Sequence, residues 1–145
     1  MSEPEIHDRW DRVKGWIEHA SEDVRIARGC LGLDPPALGG AAYHCQQAVE
    51  KVLKGFLVLA GIDFRRTHDL TALGKLVLSH FPSLQSILRI DSRWTAWGVV
   101  YRYPGDDLPD PDPTLEELSE ALGLTEQLET VLRSLAPEGA KPNRT

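Results

Sequence analysis

An all-α fold follows from three features of this 145-residue chain. Apolar residues recur at spacings of three and four along several long stretches. No stretch of useful length alternates with period two, the mark of a strand. Glycine and proline clusters fall between the periodic stretches. The expected architecture is an antiparallel up-and-down bundle of four main helices plus a short extra helix. It occupies one domain, residues 1–136, followed by a flexible tail over 137–145.

The first helix is expected from Glu5 to Leu31. Ile6, Trp10, Val13, Ile17, Ala20, Val24, Ala27 and Leu31 alternate spacings of four and three. Such a repeat favours near-parallel packing against neighbours. Gly32 and the Asp34-Pro35-Pro36 step end it. The second helix spans Ala37 to Ala60, with Ala41, Cys45, Ala48, Val52, Phe56 and Leu59 on its apolar side. Gly61 stands where a left-handed cap is expected.

A third helix starts near Thr67 or Asp69, either of which can cap it, and carries Leu70, Leu73, Val77 and Phe81 inward. Pro82 interrupts it, and Ser83–Ile90 is a short, weaker helical piece. The fourth helix, Asp91 to Tyr101, places Trp94, Trp97 and Tyr101 on one side and stops at Pro104-Gly105. The four tryptophans read mostly as core at helical spacing, with a dimer seam the alternative for Trp94 and Trp97. The last helix opens at Thr114 with Glu117 three residues on, a capping-box pattern. Its buried side is Leu115, Leu118, Leu122, Leu128, Leu132 and Leu135. Gly39, Gly40, Gly55 and Gly74 read as close-packing points.

Composition narrows the function classes. A net charge of −6 argues against broad, sequence-independent nucleic-acid binding, which draws on many Lys/Arg–phosphate contacts. A local basic site of a few residues remains compatible with an acidic chain. No apolar run reaches the ~20 residues of a membrane span, and MSEPEIHDRW lacks a signal-peptide core, so a cytoplasmic protein is expected. Two cysteines, Cys30 and Cys45, read as reduced and packed.

The surplus chemistry lies on the second helix. His44, Gln47, Lys51 and Lys54 fall within roughly an 80° arc at 100° per residue. As a plain solvated face this stripe would explain Glu50 and Lys54, an i,i+4 pair in the favourable order. It would not explain His44 and Gln47 in line with two lysines. Docked against a partner, the two ammonium groups would hold phosphate oxygens while Gln47 supplied a hydrogen bond. The turn Arg65-Arg66-Thr67-His68-Asp69 follows at once, and His68 offers an imidazole there.

Tyr43-His44-Cys45-Gln46-Gln47-Ala48-Val49-Glu50-Lys51-Val52-Leu53-Lys54 resembles the second-helix signature, QQAxEKxLK, of the HEPN family. The likeness is to its prokaryotic branch, often encoded beside a minimal nucleotidyltransferase. Thr67-His68-Asp69-Leu70 is similar to that branch's THDL step, and Tyr101-Arg102-Tyr103-Pro104 to its RYP segment, in the same order and over about residues 5–136. The resemblance implies a homodimeric bundle with a role tied to nucleotides or RNA. In some members an Arg-x4–6-His motif makes a metal-independent ribonuclease of toxin–antitoxin systems. Here the positions after Arg102 hold Asp107, Leu108 and Pro109 instead of that histidine. The one formal match is Arg12…His19, and with 11 arginines and five histidines a chance match is unremarkable.

The leading expectation is a non-catalytic HEPN protein that partners a separately encoded minimal nucleotidyltransferase. Its nucleotide- or partner-binding residues would be His44, Gln47, Glu50, Lys51, Lys54, Arg66, His68, Arg102 and Tyr103. Arg102 can complement a helix end or fork onto a phosphate, and a flanking tyrosine can stack on a base. The chain is not itself the nucleotidyltransferase, whose metal-binding carboxylates sit on a sheet. The first alternative is a ribonuclease using His68 or His44 as base, with Arg102 or Arg66 steadying phosphorane charge. The second is a helical adaptor that reads an acidic protein helix. No cofactor or metal site is expected. The Asp106, Asp107, Asp110, Asp112 cluster lacks the glycine and terminal glutamate of a calcium loop.

Overall fold

A computed structural model describes residues 1–64, 67–100 and 113–140. Five α-helices and one 3-10 turn account for the regular structure, with no strand among the described residues. They are α1 (Glu3–Leu31), α2 (Leu38–Ala60), α3 (Leu70–His80), α4 (Trp94–Val100) and α5 (Leu115–Ser134), with the 3-10 turn at Pro82–Ser86. The all-helical bundle expected from the periodicity is what the chain forms.

The ends of the helices follow local chemistry. α1 starts two residues earlier than expected, because the Ser2 hydroxyl accepts from the Glu5 amide at 3.3 Å and Pro4 occupies the first turn. Gly61 has φ 72° and closes α2 in the left-handed conformation, its amide donating back to Val58. Of the two candidate caps on α3, Asp69 serves, accepting from the amides of Thr71 and Ala72 at 3.0 and 3.3 Å. The capping box of α5 forms as read: Glu117 N donates to Thr114 Oγ1, and Thr114 N to Glu117 Oε1.

The fourth helix begins at Trp94 rather than Asp91. Asp91 instead accepts from the Arg93 amide at 2.9 Å and clasps its guanidinium, a local turn that competes with helix. That clasp holds the Asp91 carboxyl below its ordinary range. Residues 83–90, expected as a helical piece, tighten into the 3-10 turn only as far as Ser86. Trp94 and Trp97 are buried within the chain, stacked at 5.8 Å, so they are core rather than a dimer seam. Tyr101 and the acidic loop lie outside the described residues.

α2 is the central rod. It packs against α1, α3, α4 and α5, its most extensive neighbour being α1. The seam with α1 uses the expected repeat from Trp10 to Ala27, while Ile6, at the start, is partly exposed. On α5, Leu118, Leu122, Leu128 and Leu132 are buried, whereas Leu115 and Leu135 are 44% and 40% exposed at the helix ends. Thr125 and Glu129 take inward positions between those leucines. At Gly55 an added Cβ would stand 2.8 Å from Leu132 Cδ2, so the glycine lets α5 approach the α2 backbone. Gly40 and Gly74 make similar contacts, with Cys30 and Ile90. Both thiols are free, and burial pushes Cys45 up to about 12.

Candidate functional site

The apolar positions of α2 are not confined to one side. Ala41, Cys45, Ala48, Val52 and Phe56 are buried as expected, but so are Val49, Leu53 and Leu57. Leu59 is only half-buried. A helix covered by four others has little solvated face left for its polar residues. The stripe that reads as solvent-facing therefore lies largely in seams between helices.

One seam faces α1. Its centre is Asp23, a buried carboxylate that sequence reasoning passed over. Lys51 Nζ donates to Asp23 Oδ2 at 2.5 Å, and His44 Nδ1 lies 2.9 Å from Oδ1. The ring of Tyr43 stands edge-on to His44 with centroids 5.2 Å apart. The available signal was positional. Asp23 lies three residues after Ala20 and one before Val24, on the edge of the apolar repeat, and seven after Trp16.

A second seam opens toward the start of α3. Glu50, 6% exposed, accepts from Lys54 Nζ at 3.2 Å and lies 2.8 Å from His68 Nδ1. Gln46 Nε2 reaches the same carboxylate at 3.5 Å, and Gln47 Nε2 donates to Gln46 Oε1 at 2.7 Å. Gln46 was also missed as a site residue. It packs against α4, since a Cβ on Gly98 would stand 2.6 Å from its Oε1. The ammonium of Lys54, itself 7% exposed, sits 5.5 Å above the centre of the Phe64 ring.

The two seams divide the expected site. His68, Glu50, Lys54 and Gln47 are brought into one hydrogen-bonded cluster through Gln46, while His44 and Lys51 gather around Asp23. Arg66, Arg102 and Tyr103 lie outside the described residues. Lys51 and Lys54 are each engaged by a carboxylate, rather than standing as a free pair of ammonium groups. Burying a carboxylate is costly unless a cation and further hydrogen bonds attend it, and each seam supplies both.

These clusters deliver oriented imidazoles. The His68 side chain is 73% exposed, yet its Nδ1 is held against a buried carboxylate. A carboxylate on Nδ1 fixes a ring's orientation and its tautomer. His44 has the same pairing with Asp23, but in a half-buried setting. Among the described residues no group of three or more His, Cys, Asp or Glu side chains could hold a metal ion. No helix there is long and apolar enough to cross a membrane.

A helical bundle with this second-helix signature is the hallmark of one class of protein, and a family comparison agrees: the HEPN domain matches residues 13–135. The chain belongs to the HEPN family. It is similar to a protein of Methanocaldococcus jannaschii named "Putative toxin MJ1304", 30% identical over 139 residues that cover 87% of this chain and 89% of the relative. No solved structure matches the chain.

Proposed function

We propose that this chain is the non-catalytic HEPN component of a two-protein, toxin–antitoxin-like module. It acts as a homodimer in the cytoplasm, and its partner is a separately encoded minimal nucleotidyltransferase. Nucleotide or RNA, or the partner's active-site edge, meets the face that carries His68, with Arg66, Arg102 and Tyr103 contributing from the neighbouring segments. The relative described as a toxin supports the module. The observation that carries the non-catalytic part is that Asp107, Leu108 and Pro109 stand after Arg102 where the Arg-x4–6-His motif would need its histidine. The pairing of Lys51 with Asp23 and of Lys54 with Glu50 bears on the ligand. Lysines occupied in this way are committed to buried carboxylates and do not gather phosphate charge on their own.

Co-expression with the product of an adjacent nucleotidyltransferase gene tests the proposal. The expected result is a complex that co-purifies, together with nucleotide binding by calorimetry. Absence of both would overturn it.

One observation favours a second reading. His68 Nδ1 stands 2.8 Å from a buried carboxylate with the rest of the ring exposed, the arrangement of a general base. In a metal-independent ribonuclease, Nε2 of His68 would take the proton of a ribose 2′-hydroxyl as that oxygen attacks the adjacent phosphorus. The 5′-oxygen of the next nucleotide would leave, and Arg102 or Arg66 would steady the charge that develops. His44 is the alternative base. This reading expects growth arrest on induction and RNA cleavage without added metal, both abolished by His68→Ala. Intact tRNA and mRNA with the purified protein would exclude it.

A further inference from the structure

A cleft of about 410 Å³ opens between α5 and the segment that joins the 3-10 turn to α4. None of the residues around it belongs to either seam. Ile87, Trp94 and Leu124 give it apolar walls, and Arg89, Glu120 and Gln127 stand around them. Local spacing builds each side. Glu120, Leu124 and Gln127 recur at intervals of four and three, so they share one stripe of α5. On the facing side the chain leaves helical geometry after Ser86 and resumes it at Trp94. Ile87 and Arg89, two apart in that non-helical stretch, both reach the cleft.

The polar groups of this cleft are unspent. Arg28, Arg93 and Arg133 each meet a carboxylate elsewhere in the fold. Arg89 and Glu120 are exposed, and neither forms a hydrogen bond or ion pair with a described residue. The same holds for the side-chain amide of Gln127. One wall therefore offers a free cation and the other a free anion. Glu120 would repel a ligand that is only an anion, and Arg89 one that is only a cation. A ligand carrying both charges suits the pair. Its body would meet half-buried Ile87 and Leu124 and the 8% of Trp94 that stays accessible. The volume falls in the range of small-molecule sites, roughly 300–1,000 Å³, which are mostly apolar with a few orienting polar groups.

We infer that this cleft binds a large apolar amino acid. Its carboxylate meets Arg89, whose planar fork suits that group, and its ammonium meets Glu120. Its side chain lies against Ile87, Trp94 and Leu124, and Gln127 supplies a further hydrogen bond. The site shares no residue with the face proposed to meet nucleotide or RNA, so either can fail without the other.

Calorimetry on the full chain tests the inference. L-leucine and L-phenylalanine are titrated, with glycine lacking the side chain, N-acetyl-leucine the ammonium and leucinamide the carboxylate. The same titrations are run on Arg89→Glu and Glu120→Arg, with circular dichroism and melting curves to confirm that each variant is folded. The expected result is saturable binding of leucine or phenylalanine, weakened about tenfold or more by either charge reversal. Glycine, N-acetyl-leucine and leucinamide should bind the native chain at least as much more weakly. Leucinamide has no carboxylate to lose, so it should bind Arg89→Glu no worse than it binds the native chain. No binding of either large amino acid would overturn the site. So would glycine or N-acetyl-leucine binding as tightly as leucine and phenylalanine, or unchanged affinity in both folded variants.

Discussion

Glu50 and Lys54 show how much a single side chain carries in this protein. Both are nearly inaccessible, and each is the other's principal counter-charge. Removing one partner leaves the other charge buried and unpaired, so Glu50→Ala is expected to cost about 3–5 kcal/mol in urea unfolding. Replacing both with apolar residues of similar volume, as in Glu50→Leu with Lys54→Met, should recover most of that loss. Strict additivity of the two single variants would show that the pair is not coupled. Glu129 makes the opposite case. Its carboxyl is raised above the ordinary range, chiefly by burial, with the Ser21 hydroxyl at 3.0 Å offsetting part of the effect. Its second oxygen, Oε1, is buried without a hydrogen-bond partner. A raised acid holds its proton in the folded state after the unfolded chain has released it. Stability is therefore lost as pH rises from the unfolded value, about 4.3, through the folded one. Glu129→Gln removes that loss, and its melting temperature should exceed wild type by about 2–4 °C near pH 8. Near pH 4 the gain should vanish. An equal gain at both pH values would mean that ionisation is not the cause.

Helices in this chain are held apart or brought together by the size of a few residues, and the consequence has opposite signs at two glycines. Gly55 lies where Leu132 of α5 comes within 2.8 Å of a would-be Cβ, so Gly55→Ala should destabilise by about 1–2 kcal/mol despite its better helix propensity. Gly123, inside α5, has nothing within 4 Å, and Gly123→Ala should stabilise by about 0.5–1 kcal/mol in the same urea assay. Stabilisation at both positions would show that α5 has room to shift outward. The termini of these helices were largely legible beforehand. Gly61, Asp69 and the Thr114–Glu117 box act through neighbours two to four residues away, and such spacing is written in the chain. The true setting of α2 was not. Its polar residues mimic a solvated stripe because the groups that satisfy them, Asp23 and His68, lie 21 to 28 and 18 residues away along the chain. A local period cannot distinguish a lysine facing water from one facing a carboxylate on another helix. The same blindness hid Asp23 and Gln46. It also made Leu115 and Leu135 look buried, since periodicity continues past the point where the neighbouring helices end.

At the scale of the whole molecule, α2 touches every other α-helix among the described residues. The chain should consequently unfold as one cooperative unit. Trp10 and Trp16 report on α1, Trp94 and Trp97 on α4, and their combined fluorescence should follow urea with the same midpoint as far-UV circular dichroism. Separate midpoints would mean that α4 detaches before the α1–α2 pair. The same centrality links fold to function, because the carboxylates that neutralise the core of α2 also hold the imidazoles at its edges. The most direct test is a proton–nitrogen correlation spectrum of the histidine side chains in mildly alkaline buffer. The His68 ring should be fixed with its proton on Nδ1, toward Glu50, and Glu50→Leu should release it. A His68 ring carrying its proton mainly on Nε2 in the wild-type protein, or unmoved by Glu50→Leu, would contradict the account.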